Sequence, residues 1–327
     1  MNQKLKYYYL YRLSETEKKI CDLIVNGILQ LQKEVMLPFH NLDFDTVNKI
    51  LGVIRLDYPE CWYLDHENTL IWRYAMHSKI ELGYVFTDKQ IHYVNRKLKN
   101  TADKILSAIP QNATVSETEK FLHDYLVQNV RYAPDTSNEL KAYSMVGALL
   151  FGNAVCEGYA KTLKYLFDLA GLPCLIVSAT ATNQLNGKPE GHAWNIVGVS
   201  PKQCCHVDVT WDSCAYHGNN FAYTFYNQTD EQMEIDHFWN HSDVPACTVR
   251  GDSPIFYCDT HQELEQLLCE NVRQSVSSFA VRVRDGFKDT NAVLQFMTIV
   301  FMKHFIYKQY GVIYRPERKQ IEFLSNP

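Results

Sequence analysis

Phe151-Gly152-Asn153-Ala154-Val155-Cys156-Glu157-Gly158-Tyr159-Ala160 sets a cysteine between two glycines, at the head of an apolar-periodic run that Gly171 closes. The pattern predicts a helix from Cys156 to about Ala170. Pro173 to Thr182 follows, rich in β-branched residues, and reads as a strand. Asn183 to Gly191 is a loop with two glycines and a proline. His192 to Val199 and Cys204 to Asp212 read as two further strands joined by a short turn at Pro201.

Three residues of this stretch have the types that thiol chemistry needs. Cys156 alone, as one cysteine of ten, is more often a small buried hydrophobe. A helix start changes its prospects, because unpaired backbone N–H groups and the helix dipole favour a thiolate there. A thiolate needs an imidazole to take its proton and return it to the leaving group. His192 opens a strand directly after Glu190-Gly191, so its ring can sit at the sheet edge. The imidazole needs an acceptor to fix its tautomer, and Asp208 lies among strand residues where an unpartnered charge is costly. A hairpin centred on Pro201 faces Asp208 against Trp194. That makes Asp208 the diagonal neighbour of His192, at about 7–8 Å between backbones. A turn shifted by one residue would separate them. Asp212 is the runner-up carboxylate.

The order and wording of these segments resemble the bacterial transglutaminase-like superfamily, a transglutaminase/protease-like cysteine enzyme core. Val155-Cys156-Glu157-Gly158-Tyr159-Ala160, Gly191-His192-Ala193-Trp194-Asn195 and His206-Val207-Asp208-Val209-Thr210-Trp211-Asp212 look like its three core motifs, with sixteen residues from His192 to Asp208. His123-Asp124-Tyr125-Leu126 and Asn129-Val130-Arg131-Tyr132 resemble its lead-in, and Asp236-His237-Phe238-Trp239 its trailing segment. The resemblance implies an α+β, papain-like arrangement with the cysteine helix packed on an antiparallel sheet. It implies a Cys156, His192, Asp208 catalytic triad and acyl transfer through a thioester, with the Cys156 backbone N–H as an oxyanion donor. An upstream tryptophan assists the oxyanion in the animal enzymes. Here no tryptophan lies between Trp72 and Trp194; Tyr132 or Tyr143 could supply a donor, although a packed aromatic is the plainer reading of each. No acidic cluster resembles those enzymes' calcium sites, so no metal and no cofactor are expected.

Outward from this core, 327 residues suggest more than one structural unit. A mixed helical unit is expected over 1–110, the catalytic core over 111–250 and a small α/β unit over 251–327. The first unit should hold a helix after Ser14, another over Thr46 to Leu56, strands at Thr69 to Tyr74 and Ile80 to Thr87, and a helix over 91–105. Ser116-Glu117-Thr118-Glu119 has the form of a capping box. Residues 133–143 read as a surface loop. The last unit should place a helix near Leu264, a strand at Phe279 to Val283, a helix over 292–305 and a final strand near Gly311 to Tyr314. The flanking units could bind a partner or cap the cleft; the sequence leaves their role open.

A net charge of −5 gives no basic surplus, which speaks against nucleic-acid binding. No segment reads as a signal peptide, and the apolar stretch Ala292 to Met302 is too short to cross a bilayer. A cytoplasmic chain with reduced cysteines is therefore expected. Cys204, Cys205, His206, Cys214 and His217 could suggest zinc, but match no common finger spacing. The expected partner is a peptide or protein substrate, with no nucleic acid and no membrane; the oligomeric state is open. Hydrolysis of peptide or side-chain amides is favoured over cross-linking by a transglutaminase. The other class weighed is a non-enzymatic interaction module, which retention of all three residues opposes.

Overall fold

A computed structural model of the chain describes residues 5–39, 42–133, 141–182, 187–200, 203–216, 221, 223–276, 278–304 and 310–325. The expected turn at Pro201, much of the expected loops at 133–143 and 183–191, and His217 lie outside these residues.

The architecture is mixed helix and sheet. Helix α1 (Glu15–Leu29) begins at Ser14, whose side chain accepts from the Glu17 N–H while Glu17 reaches back to the Ser14 N–H. Its face of Ile20, Ile24 and Ile28 is fully buried. After β1 (Glu34–Leu37), α2 (Phe44–Asp57) is capped by Asp43, three residues before the predicted Thr46 start. Strands β2 (Leu64–Arg73) and β3 (Ser78–Tyr84) complete a three-stranded sheet of order β1-β3-β2. Helix α3 (Asp88–Ser107) and helix α4 (Val115–Asn129) follow. The cap of α4 is Thr114 paired with Glu117, not Ser116 paired with Glu119. The two overlapping boxes differ in what they bury: Glu119 lies inside the protein, so it cannot serve as an exposed capping carboxylate.

The central layer is helix α5 (Cys156–Ala170) against an antiparallel sheet of order β6-β5-β4-β7, with β4 (Cys174–Thr182), β5 (Pro189–Ser200), β6 (Gln203–Val207) and β7 (His237–Phe238). Gly171, in the left-handed region at φ 75°, ends α5 as expected. Buried Asn195 pins helix to sheet by donating to the carbonyls of Ala160 on α5 and Leu175 on β4. Strand β5 pairs with β6 in the register Asn195 to Val207 and Ile196 to His206. One step further this register sets Asp208 against Trp194, as a hairpin about Pro201 requires.

The strand predicted over Cys204 to Asp212 is cut short. It ends at Val207, and Asp208 caps a short helix, α6 (Val209–Cys214), accepting from the N–H groups of Thr210 and Trp211. Val207, Val209, Thr210 and Trp211 are good strand residues, but the aspartate's capping bonds turn the chain.

The remaining residues form β8 (Phe256–Cys258), α7 (His261–Arg273), β9 (Ser278–Val283), α8 (Thr290–His304), β10 (Tyr310–Arg315) and β11 (Gln320–Ser325), with sheet order β8-β9-β11-β10. Strand β10 was expected to be last. Instead β11 lies between β9 and β10, with Ile321 and Phe323 fully buried. Its alternation with Gln320 and Glu322 disguises a central strand, because both polar side chains are buried but hydrogen-bonded. No helix among the described residues is long and apolar enough to cross a membrane.

The α5 start is clamped by residue 142. The Ala142 carbonyl accepts from the Val155 N–H, and a Cβ on Gly158 would stand 2.2 Å from that carbonyl oxygen. Gly158→Val should therefore lower unfolding stability by about 1–3 kcal/mol. Urea unfolding would read this, and an unchanged midpoint would refute the clamp.

Candidate active site

Cys156 is the first residue of α5. Its N-cap, Val155, has no side-chain oxygen, so the helix opens without a capping side chain and its field falls on the cysteine. The neighbouring Glu157 turns away to Arg55, whose Nε donates at 2.8 Å, and to Lys161 Nζ at 2.7 Å. Burial opposes the Glu157 charge, but these two cations hold its pKa down to about 2. The carboxylate beside the thiol is thus neutralised by its own partners.

His192 sits on β5, buried, opposite Ala179 of β4. Its Nε2 meets Asp208 Oδ2 at 2.7 Å. The Cys156 thiol lies close enough to the ring to favour its charged form. Burial would depress the His192 pKa. The charge and hydrogen bond of Asp208, and the contact with Cys156, outweigh burial and carry it up to about 10. Trp211 and Trp194 flank the imidazole at 5.2 and 6.0 Å between ring centroids. The structure therefore pairs His192 with Asp208 and sets Cys156 near the imidazole.

Asp208 is fully buried and its hydrogen-bonding capacity is filled. Oδ2 accepts from His192 and, at 3.1 Å, from His237 Nε2. Oδ1 accepts from the N–H groups of Thr210 at 2.9 Å and Trp211 at 3.2 Å. Burial works against the charge, yet the two imidazoles overcome it and hold the carboxyl well below the usual range. Asp212, the runner-up, is committed elsewhere: it accepts from His123 Nε2 and from the Phe225 N–H.

His237 was legible only as part of a trailing motif. Its contact with Asp208 is a fold-level fact, since twenty-nine residues separate them. Tyr132 is half-exposed and close enough for Cys156 to act on its hydroxyl; burial first, then that thiol, push its pKa up to about 12. Tyr143 lines a cavity of about 750 Å³ with Arg55, His66, Glu157 and Lys161. A second cavity of about 370 Å³ is lined by Leu56, Ser178, Ala179 and Trp239. Gly52 of α2 lines both. Cys156 and Leu56 pack on the same small cluster of Ala160, Ile176 and Ala193.

Two groups among the described residues bring three metal-ligand types together. In the first, His192, Asp208 and His237 already use their facing atoms on one another. In the second, His206, Asp230 and Cys247, the Trp194 indole donates to His206 Nδ1 at 2.9 Å. The neutral ring then carries its proton on Nε2 and gives it to Asp230 at 2.8 Å, so Nε2 is a donor there. Cys204 lies beside Cys247, with the sulfurs 3.5 Å apart. Cys205 points to the opposite face and Cys214 lies on α6, so the cysteines weighed for zinc do not converge.

Residues 99–209 match the family model of the transglutaminase-like superfamily, a span that contains Cys156, His192 and Asp208. Among solved structures the chain is similar to a TGase, at 13% identity and a TM-score of 0.32, over 57% of this chain and 52% of that one. It is also similar to a protein from Cytophaga hutchinsonii provisionally described as a cysteine protease, at 13% identity and a TM-score of 0.27, over 44% of this chain and 61% of that one. A third, provisionally described as a protease, comes from Parabacteroides distasonis ATCC 8503; the match has 8% identity and a TM-score of 0.25, over 80% of this chain and 61% of that one. The chain spans about half the length of the first of these. No curated protein matches it.

The His192 shift sets a pH dependence of stability. A pKa raised from 6.5 to about 10 means the folded chain keeps a proton that the unfolded chain releases. That contribution is complete below 6.5 and is lost as pH rises through about 10. Melting temperature should therefore fall between neutral pH and pH 10 more steeply in the wild type than in His192→Gln. Equal slopes would contradict the pairing.

Proposed function

We propose that this chain, whose segment 99–209 is transglutaminase-like, is a thiol-dependent acyl-transfer enzyme with Cys156 as nucleophile, His192 as base and then acid, and Asp208 as the residue that orients His192. The observation that supports this reading is the buried His192 ring, bonded to the Asp208 carboxylate and influenced by the Cys156 thiol at a helix start. On this reading the core is papain-like in arrangement.

The chemistry follows from these contacts. His192 draws the proton from Cys156, and the sulfur attacks an amide carbonyl carbon, forming a C–S bond. The carbonyl oxygen takes the negative charge, facing the N–H groups that open α5. His192 then gives its proton to the leaving amine as the C–N bond breaks, which leaves a thioester. Water or a second amine attacks the thioester while His192 takes its proton, and the C–S bond breaks to restore the thiol. Asp208 remains a carboxylate throughout, as its filled hydrogen bonds and depressed pKa favour.

Hydrolysis of peptide or side-chain amides is the reaction we favour. Two cavities adjoin neighbours of the site, one lined by Glu157 next to Cys156 and one by Ala179 opposite His192, and are candidate places for substrate chain. Arg55 and Lys161 are both occupied by Glu157, so the 750 Å³ cavity does not present bare cations to a phosphate or nucleic acid.

Iodoacetamide near neutral pH should label Cys156 faster than the other nine cysteines, eight of which are buried while Cys214 is exposed. Mass mapping that found Cys214 labelled first would sink the mechanism. With a glutamine peptide library, Cys156→Ala should lose activity by roughly 1,000-fold or more while folding normally. Incubation with a labelled primary amine separates the outcomes: deamidation or cleavage supports hydrolysis, and amine incorporation supports the transferase alternative.

A further inference from the structure

His237 is held from both sides. Its Nε2 is on Asp208 Oδ2, and its Nδ1 is 2.6 Å from Asp236 Oδ1. Asp236 in turn is gripped by Arg318, whose Nη2 lies 2.6 Å from Oδ1 and 2.7 Å from Oδ2. Arg318 belongs to the turn between β10 and β11, far along the chain in the last sheet. Its guanidinium is buried, donates through Nη1 to the Gln232 carbonyl at 3.0 Å, and lies over the Phe225 ring at 4.2 Å. An unbroken hydrogen-bonded line thus runs from the C-terminal sheet to the carboxylate beneath His192.

We propose that the C-terminal unit completes the active site: Arg318, acting through Asp236 and His237, fixes the orientation of the Asp208 carboxylate and therefore of the His192 ring. This inference rests on the thiol mechanism given above. Its physical basis is geometric. A carboxylate held only by two backbone N–H groups on Oδ1 can still tilt about that anchor. Oδ2 must be shared between His192 and a second donor of fixed position to stop the tilt. His237 can be that donor only if its own ring cannot rotate, and the Asp236 contact prevents rotation. Asp236 is partly exposed and would swing without the two-oxygen grip of Arg318. The surrounding rings add shape: Trp211 and Trp194 lie 4.3 and 4.9 Å from His237 between centroids. Arg282 holds the same sheet in place from a second point, donating to Gln228 Oε1 and the Thr224 carbonyl. His237, Asp236 and Arg318 are positioning residues, since none of them reaches the sulfur.

The test is the rate of Cys156 alkylation by iodoacetamide near neutral pH in the full-length chain, with the nine other cysteines mapped in parallel. His237→Leu and Arg318→Met should each slow Cys156 labelling roughly ten-fold or more. His237→Gln, which keeps an N–H donor toward Asp208, should restore most of the rate. Buried Cys258 and Cys205 report on loosening: a destabilised fold labels them faster, whereas lost positioning slows Cys156 alone. Wild-type rates at Cys156 in folded His237→Leu and Arg318→Met would overturn the inference while leaving the thiol mechanism standing. Slowing that came only with faster Cys258 and Cys205 labelling would also overturn it. A wild-type Cys156 no faster than Cys214 would overturn the mechanism itself, and this inference with it.

Discussion

A negative charge with no access to water governs the centre of this protein. Asp208 is completely buried, and breaking a buried ionic set by removing a partner costs about 3–5 kcal/mol. The chain meets that demand with four donors drawn from three places: two N–H groups of α6, His192 on β5 and His237 on β7. Each donor carries a structural requirement. The N–H groups exist only because the strand stops at Val207 and the helix begins. His192 reaches Oδ2 only in the observed β5–β6 register. His237 arrives only because β7 returns to the far edge of the sheet beside β4. The local fold around the thiol can be read as the set of conditions for keeping this carboxylate ionised.

Much of this was legible in residue order. Cys156 before an apolar-periodic run and Gly171 at its end marked α5, because helix starts and stops are local in sequence. The hairpin register was legible from Pro201, since a short turn leaves two alternating strands few ways to pair. The extent of β6 was not. Val207, Val209 and Thr210 favour a strand by side chain, and only the capping bonds of Asp208 decide otherwise. Strand β11 escaped for the opposite reason. Gln320 and Glu322 resemble solvent-facing residues, but both are buried and partnered by side chains distant in the chain: Arg282 and Thr224 for Gln320, Arg315 for Glu322. Alternation shows period, and it cannot show whether the polar face has found a partner inside.

The same distinction separates His192 from His237. His192 was identifiable because its role is tied to a cysteine and an aspartate at familiar spacing. His237 resembled a motif with no assigned chemistry, and its importance depends on Arg318, eighty-two residues beyond Asp236. A contact of that sequence separation leaves no local periodicity or turn signal to read.

Charge order along the line Asp208, His237, Asp236, Arg318 suggests why such a long support is used. The protein has to hold a carboxylate firmly without removing its charge, because that charge raises His192. A direct arginine on Asp208 would satisfy both oxygens, compete with His192 for the same acceptor and weaken the pull on its proton. Placing the guanidinium two residues away instead gives Asp236 the strong two-oxygen contact and leaves the shared oxygen of Asp208 to the imidazoles of His192 and His237. Rigidity is thus supplied at a distance and electrostatic strength is reserved for His192. On this argument the C-terminal sheet is coupled to the thiol by orientation rather than by field, so loss of its grip would be felt at Cys156 without any residue near the sulfur having changed.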